Sequence, residues 1–564
     1  MKLPEPVGRP YTLLISDIEK GQIKIPQFQR EFVWDIKKSS KLLDSIIKGY
    51  PIGTFIFWKT NERLRSVRNL GNFKLPEPND GDFIDYVLDG QQRLTSLFAT
   101  LKGLKIEREE GKIENYDEMY VNLEAKEDEE IVITNKDDFE NHQLIKLHDL
   151  LYGSISRLNT FDKKYHTKID DYRTRINSYN FSIILIRDAA LDVATEIFTR
   201  INEGGKALTV FEIMVAKTFD SARDFDLAEK YNELIENLRE INYETVSSAT
   251  VLQTVSMLLE KECKRKTILK LDKKKFIDIW EDAVSAIESA VEYFRGYYRI
   301  PVSQLLPYNA LIVPFAYFFY HHKDKPTGNK QKYLQDFFWR VSFGTRYSSA
   351  VESKLAQDIK RIDTILNDEL PKYDWAVNVS SDFIKDNGGF SASRSYIKAI
   401  LSIYAFHLPK SFNDNSVVNI TNDWLKIATS KNYHHFFPKA YLQKKISDWD
   451  NRDFYINHIL NITIVDDFLN KREIGAKAPS VYMKKFSKHN KELNETMKTH
   501  LINDLDAFGI WTDDYEKFFN ARAKALSKEM KKRIIEADID RTMTVEHTED
   551  YYGEENELTQ QTVA

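Results

Sequence analysis

Two adjacent histidines open the segment His434-His435-Phe436-Phe437-Pro438. Because neighbouring side chains on an extended chain point in opposite directions, His434 and His435 should face opposite sides of a strand or splay at its end. A proline fixes φ, so Pro438 should set the direction in which the chain leaves the histidines. The segment therefore predicts a strand that runs into a rigid loop, with two imidazoles in different surroundings.

Two asparagines frame the next strand. Asn461 precedes the β-branched run Ile462-Thr463-Ile464-Val465, which predicts a strand, and Asn470 follows nine residues after Asn461. Residues 466–472 predict a short helix. Two strands and a helix that carry imidazoles and carboxamides suit phosphodiester hydrolysis, in which a neutral histidine activates water and a divalent metal stabilises the transition state.

The segments NYHHFFPKAYL and NITIVDDFLNKREIGAKAPSVYM resemble an HNH (His-Me finger) nuclease core. More closely, they resemble the C-terminal nuclease domain of GmrSD-type restriction proteins. The resemblance implies that His435 is the general base and that Asn461 holds it in place. It also implies that His434 and Asn470 bind the metal. A surface histidine pair with two loop asparagines is the alternative interpretation.

The residue at position 434 departs from the usual HNH pattern, in which many motifs have aspartate. Histidine can bind a metal, but a neutral imidazole is a softer ligand than a carboxylate. The expected cofactor is therefore Mg²⁺, with Mn²⁺ or another divalent metal left open.

A second group of motifs lies nearer the N-terminus, in the segments IPQFQREFVW and VLDGQQRLT. The second segment predicts a strand that ends at Leu88, a turn at Asp89-Gly90 and a helix that begins near Gln91. Free N–H groups at the start of such a helix favour an anion. This turn therefore suits a phosphate group.

Charged side chains strengthen this prediction. Arg93 can hold a phosphate with two hydrogen bonds, Asp89 can bind Mg²⁺, and Arg30 can add a second cation. A Walker A motif is excluded, because Gly204-Gly205-Lys206 is followed by alanine and lacks the first glycine of that pattern. In the alternative interpretation, Gln29 and Arg30 only stabilise the local fold.

These motifs, together with the later segment FTRINEGGKALTVFEIMVAK, closely resemble the N-terminal domain of GmrS-like proteins, which is similar to the ParB/sulfiredoxin nucleotide-binding fold. The resemblance implies binding and hydrolysis of a nucleoside triphosphate, coupled to DNA cleavage. It assigns nucleotide binding to these residues: Gln29, Arg30, Asp89, Gly90, Gln91, Gln92, Arg93, Thr95 and Asn202.

The pattern along the chain predicts a multidomain α+β protein. Residues 1–220 predict a ParB/sulfiredoxin-like mixed domain in which the highly charged residues 102–180 are an insertion. Residues 221–412 predict a helical middle domain, and residues 413–540 predict the ββα-metal (HNH) nuclease core. Residues 545–564 contain six acids and no lysine or arginine, which is typical of a disordered acidic tail.

Composition limits the partners. There are 81 Lys and Arg residues against 86 Asp and Glu residues, so DNA binding needs a local basic surface. The candidates are Lys261–Lys275 and Lys517–Arg533, and a solvated helix face is the alternative for each. The single Cys263 excludes internal disulfides and suits a reducing cytoplasm. No secretory signal or membrane span is predicted, because Pro314 interrupts the short apolar run of residues 310–320.

Together, these features predict a cytoplasmic, nucleotide-dependent DNA endonuclease of anti-phage defence that cleaves modified foreign DNA, as type IV restriction enzymes do. The expected partners are DNA, with modified phage DNA as substrate, and a nucleoside triphosphate; no membrane is expected, and a homodimer is compatible with the sequence. Two alternatives stay open. The chain could be a nucleotide-responsive DNA-binding regulator with an inactive nuclease site, or a toxin-like nuclease that cleaves RNA.

Overall fold

The structure is a computed structural model. It describes residues 3–26, 28–29, 32–64, 75–79, 81–107, 113–126, 129–137, 139–201, 208–220, 222–422, 433–465 and 474–540. The chain divides into two compact units, Met1–Leu227 and Ala228–Ala564. Both strands and helices are present, which confirms the prediction of a multidomain α+β protein. In the described part of the chain, no helix has the length and apolarity that a membrane crossing requires.

The first unit combines short strands with helices. Its strands are β1 (Glu5–Pro10), β2 (Ile23–Lys24), β3 (Phe55–Thr60), β4 (Ile84–Asp89), β5 (Lys105–Glu107), β6 (Ile113–Asn115), β7 (Tyr120–Asn122), β8 (Val132–Ile133), β9 (Leu144–Lys146) and β10 (Asn180–Arg187). Its helices are α1 (Tyr11–Glu19), α2 (Ile36–Ile47), α3 (Gln91–Leu101), α4 (Leu147–Tyr152), α5 (Ile155–Leu158), α6 (Lys163–Ser178), α7 (Leu191–Ile201) and α8 (Val210–Thr218).

One mixed sheet organises this unit. Its strands lie in the order β1-β10-β3-β4-β2, with β10 parallel to β3 and β4 antiparallel to β3. Because side chains alternate along a strand, Phe55 and Phe57 enter the large apolar cluster, whereas Trp58 points to the other face. There the Trp58 ring lies 5.8 Å from the ring of Tyr86. Both faces of β3 and β4 are therefore covered, which holds the end of β4 at Asp89 firmly in place.

The elements predicted around the DGQQR segment are confirmed. β4 ends at Asp89, and α3 begins at Gln91. Helix α2 begins at Ile36. Its first turn is capped by Asp35, whose carboxylate accepts a hydrogen bond from the Lys38 N–H at 2.7 Å. Residues 102–180 contain the short strands β5 to β9 and the helices α4 to α6.

The second unit is mainly helical before a short hairpin. Its helices are α9 (Leu227–Glu240), α10 (Ser248–Glu260), α11 (Arg265–Lys270), α12 (Lys273–Gly296), α13 (Ile312–His321), α14 (Gly328–Phe343), α15 (Val351–Leu366), α16 (Ser381–Asn387), α17 (Ser395–Phe406), α18 (Lys439–Lys445), α19 (Arg452–Ile456), α20 (Pro479–His489), α21 (Leu493–Lys498) and α22 (Tyr515–Lys531). Two antiparallel strands, called the hairpin below, are β11 (Tyr433–His435) and β12 (Ile462–Ile464), and α18 and α19 lie between them in the chain.

Proline chemistry explains one wrong boundary. The apolar pattern predicts a helix from Leu305 to His321, but α13 begins only at Ile312, after two 3₁₀ turns. Pro307 lacks an N–H and disfavours a helical conformation at the residue before it. Pro314 is tolerated because it lies in the first turn of α13, where N–H groups have no partner inside the helix.

Two other segments of the second unit support the hairpin. From α22, the Phe518 ring stacks on Phe436 with the ring centres 5.0 Å apart. Between α16 and α17, Gly389 forms an isolated β-bridge with His458. The neighbouring Ile459 N–H donates to the Gly388 carbonyl at 2.8 Å. The predicted helix over residues 466–472 and the acidic tail over residues 545–564 lie outside the described residues.

Candidate functional site

The hairpin separates the two histidines. β11 pairs antiparallel with β12, so that His434 lies opposite Thr463 and His435 lies opposite Ile462. The two imidazoles therefore face opposite sides, which confirms the prediction from their adjacency. His434 is only 2% exposed, whereas His435 stays partly exposed to solvent. The two rings are thus suited to different tasks.

His434 lies among aromatic rings. Phe412, Phe436 and Tyr482 surround it, with ring centres 6.2, 6.5 and 6.3 Å away. Burial is the main reason that the pKa of His434 lies well below its usual range, so the ring is neutral.

The hydrogen bond between His434 and Thr463 shows which ring nitrogen of His434 keeps its lone pair. Its Nδ1 lies 3.1 Å from Thr463 Oγ1, and the Thr463 hydroxyl in turn donates to the His434 carbonyl at 3.4 Å. Because the hydroxyl proton is used there, Thr463 accepts from Nδ1–H, and the lone pair remains on Nε2. Nε2 has no hydrogen-bond partner in the described part of the chain. A neutral nitrogen with a lone pair fits a borderline divalent metal better than Mg²⁺.

A complete metal site is not visible among the described residues, where no three His, Cys, Asp or Glu side chains come together. The other predicted ligand, Asn470, lies outside the described residues. The described residues therefore contribute one candidate metal ligand, the Nε2 atom of His434.

His435 has the protonation state that a general base requires. Burial, and then the nearby Lys439 ammonium group, lowers the pKa of His435 to about 4. The ring is therefore neutral near neutral pH and can accept a proton. Its Nε2 lies 3.1 Å from Oδ1 of Asn457. Asn457 is thus the direct partner of the predicted base.

Nothing in the sequence distinguishes Asn457 from the other asparagines near the motif. It lies four residues before Asn461 in the run YINHILNITI. Its position opposite His435 depends on the turn that joins α19 to β12, which no local pattern predicts. A sequence search for the partner of the base therefore leads to Asn461 instead.

Asn461 is fully buried and binds the loop after His435. Its Oδ1 accepts from the Phe437 N–H at 2.9 Å, and its Nδ2 donates to the carbonyls of Phe437 and Ile456 at 3.0 and 3.1 Å. The Asn461 carbonyl also accepts from the Phe436 N–H at 2.7 Å. None of these bonds ends on an imidazole. The predicted role of Asn461, holding the base, can therefore act only through the loop.

The DGQQR turn is shaped by Gly90 and Arg93. Gly90 has φ of 91°, and a Cβ atom there would lie 2.4 Å from the Phe55 ring, so the turn requires glycine. The Arg93 guanidinium donates to the carbonyls of Ile52 and Thr54 at 2.7 and 2.9 Å. It also donates to Asp89 at 3.2 Å. Arg93 thus fixes the turn, and 35% of the Asp89 side chain stays exposed at its edge.

Two glutamines join the predicted nucleotide-binding segments. Gln29 Nε2 donates to the carbonyls of Val87 and Leu88 at 3.0 and 2.9 Å. Gln92 Oε1 accepts from the Val33 N–H at 2.9 Å. The segment around Gln29 therefore lies against β4 and α3, as a shared site requires.

Of the other residues predicted to bind a nucleotide, some lie within the described residues and some do not. Gln91 and Thr95 are buried in α3, and the Thr95 hydroxyl has no hydrogen-bond partner in the described residues. Arg30 and Asn202 lie outside the described residues. The structure therefore brings together Gln29, Gln92 and the Asp89 turn, with Arg93 at its centre.

The basic stretch at residues 517–533 divides between surface and interior. On α22, Lys517, Lys524, Lys528 and Lys531 are exposed, and their spacing places them within ~60° of one helix face. In contrast, Arg522 is buried and donates to the Leu460 carbonyl at 2.9 Å. The four lysines, called the lysine stripe below, place four positive charges along one exposed face of α22.

Two segments of the chain match known protein families. Residues 12–219 match the family described as GmrSD restriction endonuclease, N-terminal domain. Residues 378–529 match the family described as GmrSD restriction endonucleases, C-terminal domain. The chain belongs to the GmrSD family. It is also similar to an uncharacterized protein of Methanocaldococcus jannaschii, with 24% identity over 93% of this chain and 97% of that protein.

The GmrSD matches contain both motif groups. The first encloses the Asp89 turn, and the second encloses the hairpin with His434 and His435. The function of this GmrSD-type chain is therefore that of a restriction nuclease, with DNA as partner. The second match also includes residues 388–390, which contact the region of Asn457.

Buried histidines should make the GmrSD C-terminal region sensitive to acid. Burial lowers the pKa of His500 to about 3 and that of His458 to about 4, whereas an unfolded histidine titrates near 6.5. Below about pH 6.5 the unfolded chain binds more protons than the folded chain. The free energy of unfolding should therefore have its full value above about pH 6.5. It should fall towards pH 4 by about 1.4 kcal/mol per pH unit for each histidine.

Urea denaturation at a series of pH values measures this slope. His500 donates its Nε2–H to the Lys410 carbonyl, with the two atoms 2.8 Å apart. His500→Gln keeps an N–H donor without a titrating group, so its slope should be shallower than that of the wild type. His489→Gln, at an exposed position, is the control and should leave the slope unchanged. Equal slopes for wild type and His500→Gln would contradict the assignment of His500 as a buried neutral group.

Proposed function

We propose that the chain is a metal-dependent DNA endonuclease of anti-phage defence that is controlled by a nucleoside triphosphate. In this proposal the hairpin belongs to a ββα-metal (HNH) core, and the first unit is a ParB/sulfiredoxin-like nucleotide-binding domain. The main support is His435, a neutral and partly exposed histidine held through its Nε2. This is the state in which a histidine removes a proton from water.

The cleavage step follows from the positions of the side chains. Because Nε2 of His435 is bonded to Asn457, its Nδ1 is the atom that takes the proton from the attacking water. Lys439 is exposed at the start of α18, and its charge acts on His435, so it can hold the phosphate beside the base. A divalent metal held by His434 and Asn470 would stabilise the charge on the phosphate and the leaving oxygen.

The first unit would bind the triphosphate at the DGQQR turn. The start of α3 offers N–H groups to a phosphate, and the exposed edge of Asp89 can bind the Mg²⁺ that accompanies a nucleotide. Arg93 already binds two carbonyls and Asp89, so its first task is to keep this turn in shape. Nucleotide binding there would control DNA cleavage, and the substrate would be modified foreign DNA.

A DNA-binding regulator with an inactive nuclease site is the second candidate. The observation that favours it is the burial of His434 among aromatic rings, with no carboxylate bonded to it in the described residues. Metal binding separates the two candidates. A nuclease should bind Mn²⁺ and lose this binding in the double variant His434→Ala/Asn470→Ala, whereas a regulator should bind no metal at this site.

Replacement of His435 should abolish cleavage. His435→Gln removes the base, so the rate of DNA cleavage should fall by about 100- to 10,000-fold. The assay follows plasmid DNA and phage DNA with modified bases, each with Mg²⁺ or Mn²⁺, with and without each nucleoside triphosphate. A chelator should stop the reaction.

His489→Gln provides the matched control, because it changes an exposed histidine of the same unit. Wild-type rates in His435→Gln would rule out His435 as the base. RNA incubated with the same preparation tests the remaining alternative, since cleavage of RNA but not DNA would replace the proposed substrate.

Replacement of three lysines of the lysine stripe should weaken DNA binding in a salt-dependent way. Lys524, Lys528 and Lys531 are exposed on α22, so their charges are available to phosphates. In the triple alanine variant, the slope of log affinity against log salt should become shallower by about 0.9 for each lysine–phosphate pair removed. Fluorescence anisotropy with labelled duplex DNA at several salt concentrations measures this slope.

A second triple alanine variant controls for net charge. It replaces Lys323, Lys325 and Lys332, which are exposed and lie outside both basic stretches. This control should keep the wild-type slope. An equal change in both variants would show that total charge, and not the lysine stripe, determines binding.

Asp89→Asn should separate nucleotide chemistry from stability. The amide keeps the shape of the side chain but removes the charge that would bind Mg²⁺, so triphosphate hydrolysis should fall by about 10- to 100-fold. Arg93→Ala should also lose hydrolysis, but it should unfold more readily because the Ile52 and Thr54 carbonyls lose their donor. Phosphate release and the urea midpoint are measured for each variant.

Asp137→Asn, at an exposed position in the same unit, is the control and should behave as the wild type does. Unchanged hydrolysis in both Asp89→Asn and Arg93→Ala would place the nucleotide site elsewhere in the chain.

A further inference from the structure

We propose that Asn457 is the positioning residue of the nuclease base: it fixes the imidazole of His435 in the tautomer with hydrogen on Nε2. This inference rests on the proposed function, because a base is needed only if the hairpin cleaves DNA. It assigns to Asn457 the orienting task that the HNH resemblance gives to Asn461.

The direction of the hydrogen bond follows from a third residue. The amide of Asn457 contacts both His435 Nε2, at 3.1 Å, and the Phe390 carbonyl oxygen, at 3.2 Å. A carbonyl oxygen can only accept, so the NH₂ group of Asn457 must face Phe390. The amide oxygen must then face His435, where it accepts a hydrogen bond. His435 therefore carries its proton on Nε2, and Nδ1 keeps its lone pair.

Asn457 can impose this tautomer because it is itself held. Its own carbonyl accepts from the Phe390 N–H at 2.9 Å, so backbone and side chain both bind the same residue. The Phe390 ring lies 4.9 Å from the ring of Tyr433 at the start of β11. Rotation of the Asn457 amide would place two oxygen atoms against each other at Phe390, which costs a hydrogen bond. The orientation of the amide is thus set before any substrate arrives.

The tautomer decides which nitrogen can act on water. With hydrogen on Nε2, the lone pair is on Nδ1, for which the described residues offer no partner. Without Asn457, both neutral tautomers become accessible, and the ring can rotate away from the reacting position. Loss of Asn457 should therefore lower kcat and leave KM nearly unchanged, because Asn457 acts through His435.

Three variants of the full-length protein test this proposal on plasmid DNA with Mn²⁺. Asn457→Leu removes both hydrogen bonds, and kcat should fall by about 10- to 100-fold. Asn457→Asp keeps an oxygen acceptor for His435 but loses the donor to Phe390, so it should recover most of the lost kcat. The assay is run at alkaline pH, where the imidazole of His435 is neutral in every variant. Asn503→Leu, at an exposed position, is the control and should match the wild type.

A spectroscopic measurement tests the tautomer without any cleavage. In protein with ¹⁵N-labelled histidine, the resonances lost in His435→Gln identify the His435 ring. In the wild type, its Nε2 should give a pyrrole-type signal and its Nδ1 a pyridine-type signal. In Asn457→Leu the two signals should move towards each other as the tautomers mix, while in Asn457→Asp they should stay apart.

The outcomes distinguish this inference from the proposed function. Unchanged kcat in Asn457→Leu, or an Asn457→Asp variant as slow as Asn457→Leu, would overturn the positioning role while the nuclease assignment stands. A pyridine-type Nε2 in the wild type would overturn it as well, even if Asn457→Leu fails to fold. A wild type that cleaves no DNA but shows the expected tautomer would overturn the proposed function and support the orientation by Asn457.

Discussion

The hydrogen bonds of Asn461 determine the geometry of the hairpin. Its side chain binds the N–H and carbonyl of Phe437 and the carbonyl of Ile456, all in the interior. Each of these backbone groups would cost about 1–3 kcal/mol if it were left without a partner. One carboxamide therefore determines how the chain turns after His435. Three features depend on that turn: the directions in which the two imidazoles point, the stacking of Phe436 on Phe518, and the start of α18.

Burial then gives the two histidines different properties, although they are neighbours in the sequence. His434 is enclosed by aromatic rings and bonded to Thr463, so its neutral state is set by desolvation. His435 lies at the edge of the hairpin, where the charge of Lys439 adds to the effect of burial. A strand that places alternate residues on opposite faces is sufficient to produce this difference.

Much of this arrangement could be predicted from local patterns. The strand over residues 462–464 follows from β-branched residues, and the turn at Gly90 follows from a glycine that adopts a left-handed conformation. Contacts between distant residues could not be predicted in the same way. Arg93 has the chemistry of a phosphate ligand, yet its guanidinium binds the carbonyls of Ile52 and Thr54. Asn457 meets His435 only because the chain folds back across 22 residues.

The contact between Asn457 and Phe390 determines how much of the chain a separate nuclease segment must contain. Phe390 lies between α16 and α17, far before the histidines in the chain, and it supplies the carbonyl that orients the amide. A segment that begins at the polar stretch near residue 413 would carry His434, His435, Asn457 and Asn461. It would lack the acceptor that fixes the proton on His435. A portable nuclease must therefore begin before Phe390, as the family match that starts at residue 378 does, and it then also contains α17.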